Sequence, residues 1–381
     1  MVQQIPPTGL SDDRLFRNKV INGDFQVFQR ATAATTAAQN TYNTTDRWKF
    51  QVSNDGAFTT EKETLSLADQ ATTGSATAFE IKCTSTDSSI GSGQYALISQ
   101  DIEAQYLQDL LYGTSSAKDI TVSFWCKSNL TGTFSLFLIK MDNTAYYIPT
   151  EFSLSSADTW EKKIITITPT QGSTSFITGS AAIINNDNGH GIQLGIALAA
   201  GSNLQGTNNT WTTSSAYTTS NQVNFLSSTD NNFYLTNVQL EIGSDATDFE
   251  KLPFDVQLQR CQRYYYKMGP GDSLDYFPYG VGSCATTDGA QCHVMFPVKM
   301  RTDPTMETTG TAINYTIYEG GGLHPCDAVP GKSTGHDYGT RVNFNRNSSS
   351  GLVVGNAAEC LANGASGGGG DSSFLAFAAE L

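Results

Sequence analysis

The feature that most limits the folds open to this chain is a series of short apolar runs between Val20 and about Leu252. Clusters of Gly, Asn, Asp, Ser and Thr separate these runs, and such residues favour turns. The runs are rich in β-branched and aromatic residues, which favour strands. They are INGDFQVFQ, RWKFQV, TAFEIKC, YALISQDI, ITVSFWCKS, TFSLFLIK, KKIITITP, GIQLGIAL and NFYLTNVQLEIG. Short strands at this spacing predict a β-sandwich.

Alternation within two runs predicts which side chains share a face of a strand. In ITVSFWC, one face should carry Ile120, Val122, Phe124 and Cys126. In FYLTNVQLEI, one face should carry Tyr234, Thr236, Val238, Leu240 and Ile242, and the other Phe233, Leu235 and Asn237. A short helix is predicted at Ile102–Tyr112.

The length of 381 residues exceeds what one core usually serves, so we predict two β domains and an arm. The arm should span residues 1–18, the sandwich 19–252 and the second β domain 253–381. The second domain should open with an amphipathic helix, because Phe254, Leu258, Cys261 and Tyr265 follow helical spacing. Its predicted strands are CHVMFPVKM, NYTIYEG, GTRVNFNR, GLVVG and FLAFAAEL.

Charge and hydropathy exclude several classes of protein. The formal net charge is −14 and no Lys/Arg cluster offsets it, so we expect no nucleic-acid binding. No run approaches the ~18 apolar residues of a membrane-spanning helix, so we expect no membrane insertion. The start MVQQIPPTGLSDDRLFRNK lacks the pattern of a signal peptide, so we expect synthesis in a host cytoplasm without one.

The seven cysteines form no CxxC pair and predict reduced thiols rather than disulfides. Zinc is the alternative that the residue types allow, through Cys284, Cys292, His293, His324, Cys326 and Cys360. Their spacing matches no compact zinc motif. We therefore predict no metal and no cofactor.

The sequence lacks the residue patterns that hydrolases usually carry. None of the four histidines stands in a known hydrolase motif, so we predict no catalytic residue and no enzyme activity. Glu61 and Glu63 share a strand face, and we interpret them as solvated rather than as an acid/base pair. The Asp/Asn-rich stretches 185–189 and 230–232 offer oxygen ligands for calcium, although turn formation explains them first.

Aromatic residues are the best candidates for function, because sugar rings stack their C–H faces on flat side chains. Trp211 and Tyr217 lie in a long polar stretch, and Tyr146 and Tyr147 precede Pro149. We predict that these four residues bind carbohydrate. The alternatives are that Trp211 covers an end of the sandwich and that Tyr146 and Tyr147 belong to an ordinary aromatic strand.

Five segments resemble, in order, a group of tailed-phage fibre and virion structural proteins. They are NKVINGDFQVFQRA, TTDRW, FYLTNVQLEIGSDATDFEKLPFDVQLQRCQRYYYK, VMFPVKMRTDPT and FLAFAAEL. The first part of that group is similar to jelly-roll carbohydrate-binding modules. The resemblance implies an all-β chain in which a jelly-roll-like β-sandwich precedes a smaller β-rich C-terminal oligomerisation domain. It also implies a tail-fibre-like virion protein that attaches to host-surface glycan and contacts other virion proteins through its arm.

This chain departs from the group at three places. Phe28-Gln29-Arg30-Ala31 stands where Trp-Gln-Arg-Gly is common, a conservative change. Gln26 and Asn237 stand near positions where calcium-binding sugar modules carry carboxylates, which puts a structural calcium site in question.

The C-terminal domain should hold an oligomer together, and the resemblance implies a homotrimer. Three consecutive tyrosines and the glycine-rich run NGASGGGGDSS suit burial between chains. The predicted interface residues are Leu258, Cys261, Tyr264, Tyr265, Tyr266, Phe374 and Phe377. Two other functions remain open: a purely structural capsid-decoration or tail-assembly subunit, and a polysaccharide depolymerase.

Overall fold

The computed structural model describes residues 16–33, 35–36, 41–269, 276–347, 350–363 and 373–381. The chain divides into two compact units. The N-terminal unit runs to Gln26 and resumes from Ala31 to Pro253, and the C-terminal unit combines Val27–Arg30 with Phe254–Leu381. Residues 1–15 of the predicted arm and most of the glycine-rich run lie outside the described residues.

The N-terminal unit contains two antiparallel sheets. The six-stranded sheet has, in spatial order, β1 (Thr35–Thr36), β3 (Ala57–Thr64), β4 (Thr77–Ser85), β11 (Asn232–Ile242), β6 (Ile120–Ser128) and β9 (Glu161–Ile167). The five-stranded sheet has β2 (Lys49–Ser53), β5 (Tyr95–Glu103), β10 (His190–Ala200), β7 (Gly132–Lys140) and β8 (Tyr146–Leu154).

Short helical segments join these strands. Helix α1 (Leu67–Thr73) begins where the Ser66 side chain accepts a hydrogen bond from Asp69 N, and it ends at Gly74, which has a φ of 74°. The predicted helix at Ile102–Tyr112 is a 3₁₀ helix at Ala104–Leu110. Further 3₁₀ turns lie at Gln171–Ser173, Ser180–Ala182, Ser202–Leu204 and Phe225–Ser227.

The two sheets pack face to face through aromatic side chains. The ring centroids of Phe50 and Phe79 lie 5.6 Å apart, and those of Phe134 and Phe233 lie 5.3 Å apart. In each pair the two rings come from different sheets, so these contacts form the sandwich core. The predicted all-β sandwich is confirmed, and Ile120, Val122, Phe124 and Cys126 are all buried as the alternation of β6 requires.

The INGDFQVFQ segment is not a strand, so that prediction is wrong. Asn22 and Phe25 have φ values of 59° and 54°, outside the β region. The Asn22 side chain donates to Thr45 Oγ1 at 3.0 Å, and the Phe25 ring stacks on Phe79 at 5.3 Å. Gly23 approaches β11 so closely that a Cβ would lie 2.1 Å from Val238 O. Residues 21–26 of the segment therefore pack into the sandwich in a bent, hydrogen-bonded conformation.

A bulge in β11 overturns half of its predicted face pattern. The register of β11 against β6 shifts between Thr236 and Gln239, and Asn237 has a φ of 51°. An extra residue reverses the side to which all later side chains point. Val238 and Leu240 therefore join Phe233 and Leu235 in the core, where the strict alternation put them on the opposite face. Asn237 is left at the bulge on the outer side of the sheet.

Residues on either side of the predicted arm boundary are part of the sandwich. The backbone N–H groups of Phe16 and Asn18 donate to the Glu250 carboxylate at 2.5 and 3.0 Å. Lys19 N donates to Leu240 O at 3.0 Å. Phe16–Asn18 are therefore not free arm, contrary to the boundary predicted after residue 18.

The C-terminal unit contains helix α2 (Phe254–Gln262), as predicted, and two sheets. The three-stranded sheet has β12 (Tyr265–Met268), β21 (Leu375–Ala378) and β15 (Thr305–Thr308). The seven-stranded sheet has β17 (Gly322–Pro325), β16 (Tyr315–Glu319), β20 (Ala357–Ala362), β13 (Pro278–Cys284), β14 (Gly289–Met295), β19 (Gly339–Asn345) and β18 (Ala328–His336). A 3₁₀ turn precedes β16 at Ala312–Asn314. The predicted strand GLVVG is instead a turn before β20.

Four residues from the beginning of the chain complete the C-terminal unit. Gln29 Nε2 donates to Tyr265 O at 2.7 Å, and the Arg30 guanidinium lies 3.6 Å from the centroid of the Tyr265 ring. Arg30 Nη2 also lies 3.1 Å from Glu380 Oε1. The predicted sandwich, residues 19–252, therefore lacks Val27–Arg30, which belong to the C-terminal unit.

Most of the predicted oligomer interface is core of a single chain. Four of its residues are at most 3% exposed within one chain: Cys261, Tyr264, Tyr265 and Phe377. Tyr266, Leu258 and Phe374 are partly buried, and the Tyr266 ring stacks on Phe377 at 6.4 Å. The assignment of the four buried residues to an intersubunit contact is therefore wrong, because the chain's own strands cover them.

All seven cysteines lie within the described residues, and each is buried and unbridged. Burial raises the pKa of the Cys83, Cys126 and Cys284 thiols, and it raises that of Cys326 to about 12. These four thiols therefore stay protonated near neutral pH, and a protonated thiol is a poor nucleophile and metal ligand.

Candidate functional site

The outer face of the five-stranded sheet carries an organised group of side chains. In β5, Ala96 and Ile98 point into the core, so Tyr95, Leu97 and Ser99 point outward. A small apolar cluster on this face is separate from the sandwich core and consists of Leu97, Phe137, Ile139 and Ala197. This cluster forms an apolar surface, which we call the floor, and aromatic side chains pack on it.

Three half-buried tyrosines stand on this floor, and we call Tyr95, Tyr147 and Tyr217 the tyrosine face. The Tyr217 ring centroid lies 6.2 Å from that of Tyr95 and 6.1 Å from that of Tyr147. Tyr217 also meets Phe137 edge to face at 5.2 Å. Tyr217 therefore links the other two rings into one partly exposed aromatic surface.

The loop that carries Tyr217 is fixed to the sheet by hydrogen bonds. Tyr147 and Thr212 exchange two backbone hydrogen bonds of 2.8 and 2.9 Å. Thr218 Oγ1 lies 2.9 Å from Ser135 Oγ, and Gln222 Nε2 donates to Ala197 O at 3.1 Å. The tyrosine face is therefore preorganised, which reduces the entropy lost when a ligand binds.

A glycine makes room for the floor under Tyr217. A Cβ on Gly195 would lie 2.3 Å from Phe137 Cζ and 2.4 Å from Ile98 O. The Phe137 ring lies over this position because the residue has no side chain. Position 195 therefore requires glycine, because Phe137 and Ile98 approach its backbone too closely for any side chain.

A polar strip adjoins the tyrosine face on β2, β5 and β10, and it comprises Lys49, Gln51, Ser99, Asp101 and Gln193. Ser99 Oγ donates to Gln51 Oε1 at 3.0 Å, and Gln193 Nε2 donates to Asp101 Oδ1 at 2.8 Å. Lys49 Nζ lies 3.8 Å from Asp101 Oδ2. Ser99, Asp101 and Gln193 are at most 4% exposed, so they brace the sheet from within. Lys49 and Gln51 are partly exposed and are the polar side chains of the strip that a ligand can reach.

The Tyr217 phenol stays protonated at neutral pH. Burial raises the pKa of Tyr217 to about 12, and the neighbouring phenols of Tyr147 and Tyr95 contribute to the rise. The hydroxyl can therefore both donate and accept a hydrogen bond at physiological pH.

Two of the four predicted carbohydrate-binding residues lie on the tyrosine face and two do not. Trp211 is 1% exposed, and its Nε1 donates to Thr168 O at 2.9 Å, so it covers the end of the sandwich and offers no stacking surface. Tyr146 is 6% exposed and stacks on Phe176 at 5.3 Å. The binding role predicted for Trp211 and Tyr146 is therefore wrong in this structure. The sequence analysis missed Tyr95, although alternation in YALISQDI puts it on the face of Leu97 and Ser99.

The other candidate sites have structural explanations. Glu61 lies 3.1 Å from Lys82 Nζ, and burial, followed by the charge of Glu80, raises the pKa of Glu63. In the Asp/Asn-rich stretch, Asp187 Oδ1 accepts a hydrogen bond from Gly189 N at 2.8 Å, which is turn chemistry. Within the described ranges, no three His, Cys, Asp or Glu side chains are placed to hold a metal ion. No helix in the described part of the chain is long and apolar enough to cross a membrane.

No protein-family model and no curated protein matches the chain. Among solved structures, the chain is similar to a putative sugar binding protein from Bacteroides thetaiotaomicron, with 14% identity and a TM-score of 0.34 over 59% of this chain and 99% of that one. It is similar to the enzymatically active domain of bacteriophage CBA120 tailspike protein 4, with 12% identity and a TM-score of 0.26 over 59% of this chain and 21% of that one.

A third similar structure is a family 11 carbohydrate-binding module of a Clostridium thermocellum cellulase, with 11% identity and a TM-score of 0.27 over 57% of this chain and 99% of that one. Similarity at this level establishes no function for the present chain.

Proposed function

We propose that the chain is a non-enzymatic glycan-binding protein that uses the tyrosine face and the polar strip. The observation that carries the proposal is the group of three half-buried tyrosines, in which Tyr217 contacts both of the others, beside the partly exposed polar side chains of Lys49 and Gln51. Carbohydrate sites combine flat aromatic surfaces for C–H faces with fixed polar groups for hydroxyls. The tyrosine face supplies the aromatic surface, and the partly exposed side chains of Lys49 and Gln51 supply polar groups beside it.

Binding fits this face better than hydrolysis does. A glycosidase needs two carboxyl groups separated by about 5–9 Å across the scissile bond. On the polar strip, Asp101 already accepts a hydrogen bond from Gln193 and lies near Lys49. We therefore propose that Asp101 orients other polar side chains rather than reacting.

For the biological setting, we propose a virion structural protein of a tailed phage that attaches to host-surface glycan. The support is the order of the five segments that resemble tail-fibre-like proteins. A purely structural subunit remains the second candidate, because the same resemblance covers proteins that contact only virion neighbours.

A glycan array tests the proposed function. We expect the purified full-length chain to bind a subset of bacterial surface glycans and to release no reducing sugar from them. A Tyr147→Ala, Tyr217→Ala double variant should lose the signal for neutral glycans, while Tyr338→Ala, on the C-terminal unit, should keep it. Absence of binding across surface polysaccharides of many hosts would favour the purely structural subunit. Released oligosaccharide would favour the depolymerase.

We also propose self-association as a homotrimer, through a different surface from the one predicted. Val281 and Met295 are 70% and 72% exposed on the outer face of the seven-stranded sheet. Val281 on β13 pairs with Glu359 on the neighbouring strand β20. On the other side of β13, Arg341 lies on β19, the strand that pairs with β14. A sheet face with apolar residues between opposite charges can meet a second copy favourably.

Light scattering should therefore give three times the chain mass for the wild type and one chain mass for Val281→Asp. The control Leu67→Asp changes an apolar residue on the N-terminal unit that is 84% exposed, more than Val281, and it should stay trimeric. A monomeric wild type, or a trimeric Val281→Asp variant, contradicts this part of the proposal.

A further inference from the structure

A second pocket lies on the opposite side of the sandwich, on the outer face of the six-stranded sheet. Its volume is about 320 Å³. Four parts of the N-terminal unit line it: the end of α1, strands β6 and β9, the bulge of β11, and the segment after β11. The lining residues that matter for binding are Trp125, Lys162, Asn237, Asp248, Phe249 and Lys251.

The bulge in β11 leaves a buried acceptor at this pocket. Asn237 is 5% exposed, and its Nδ2 donates to Thr73 O at 2.7 Å. Its Oδ1 is buried and has no hydrogen-bond partner within the described residues. A buried carbonyl oxygen without a partner is unfavourable, so native sites usually supply a donor from water or a ligand. The oxygen therefore lacks a donor in a residue that lines the pocket.

The walls of the pocket supply a flat surface and further polar groups. The Trp125 indole is half-buried, and Phe249 is partly exposed across the pocket. Asp248 is exposed, and Gln239 Nε2 donates to its backbone oxygen at 3.1 Å, not to its carboxylate. The carboxylate can accept from ligand hydroxyls.

Two lysines make the pocket suited to a negative charge. Lys162 and Lys251 are exposed, and neither forms an ion pair within the part of the chain that the structure describes. Lys251 also acts on Asp24: burial raises the pKa of that carboxyl, and the charge of Lys251 opposes the rise. Lys162 is therefore the ammonium group most available to a ligand.

We propose that this pocket binds an acidic sugar residue, a uronic or sialic acid, as a second glycan site of the chain. The Lys162 ammonium binds the carboxylate, the Asn237 Oδ1 accepts from a ring hydroxyl or amide, and Trp125 stacks on the C–H face. Lys251 and Asp248 contact the remaining polar groups. The site does not depend on the tyrosine face, since it lies on the other sheet.

The test uses the full-length chain, with galacturonic acid and galactose as probes that differ only at the carboxylate. We expect galacturonate to shift the indole N–H signal of Trp125 in a nitrogen–proton correlation spectrum, and galactose to bind at least tenfold more weakly. Trp125→Phe identifies the signal. Lys162→Gln should weaken galacturonate binding at least fivefold, whereas Lys118→Gln, an exposed lysine outside the pocket, should leave it unchanged.

Three outcomes overturn the proposal: equal affinity for galactose, equal affinity for acetate or inorganic phosphate, or unchanged binding by Lys162→Gln. A Tyr147→Ala variant separates this site from the first one. It should bind galacturonate like the wild type even if it has lost, or never had, binding at the tyrosine face.

Discussion

Replacing Trp211 by alanine should lower the free energy of unfolding of the N-terminal unit by about 3–5 kcal/mol, the range for truncating a fully buried aromatic side chain. The indole is 1% exposed and its Nε1 donates to Thr168 O, so truncation leaves both a cavity and an unpaired carbonyl. Denaturant unfolding followed by circular dichroism and tryptophan fluorescence measures the change.

A control variant separates a packing role from a binding role. Trp211→Phe keeps most of the ring, so its loss of stability should be clearly smaller. If Trp211→Ala left stability unchanged and abolished glycan binding, Trp211 would be a stacking platform after all and the structural assignment would be wrong.

Replacing Gly195 by valine should also be strongly destabilising, by roughly 3 kcal/mol, the upper part of the range for overpacked cores. The new Cβ would lie 2.3 Å from Phe137 Cζ and 2.4 Å from Ile98 O, and the second of these atoms is backbone that cannot rotate away. Displacement of Phe137 would also move Tyr217, which packs on it. We therefore expect lower denaturant midpoints and loss of glycan affinity together.

The matched control for this variant is Gly93→Ala, where a Cβ would meet nothing within 4 Å. Its effect on stability should be within about 0.5 kcal/mol, as for surface substitutions. A Gly195→Val chain as stable as the wild type would show that the sheet tolerates a side chain there, and the described floor of the tyrosine face would be incorrect.

The local sequence pattern predicted the positions of the strands wherever the alternation of side chains was regular. The runs that became β5, β6 and β7 carry their own signal, because neighbouring side chains face opposite sides of the sheet. The bulge at Asn237 carried no such signal, and one extra residue moved Val238 and Leu240 to the other face. A bulge depends on the partner strand, so period-two reasoning cannot place it.

The candidate site was predictable only in part for a similar reason. Tyr146 and Tyr147 are neighbours in one strand, so one had to face inward, and the sequence did not say which. Trp211 lies among polar residues, yet its contact with Thr168 closes the sandwich end. Tyr95 could have been found from the alternation of β5. Its contact with Tyr217 could not, since a long loop sets that distance.

In the C-terminal unit, pairing between strands that are distant in sequence determined how the predicted interface residues are buried. Tyr264, Tyr265 and Phe377 looked suited to burial between chains, but strands β12 and β21 of the same chain pair and bury them. Gln29 and Arg30 contact Tyr265 and Glu380 across more than 200 residues of sequence. No local pattern predicts such contacts.

The measurement that tests the central claim most directly is calorimetric titration of an array-positive neutral oligosaccharide into the full-length chain and its variants. Tyr95→Ala and Tyr147→Ala should each weaken binding about tenfold, equivalent to the loss of about 1.4 kcal/mol of contact. Tyr338→Ala on the C-terminal unit should bind like the wild type. Wild-type affinity in both tyrosine-face variants would contradict the account, because the neutral glycan would then bind away from the tyrosine face.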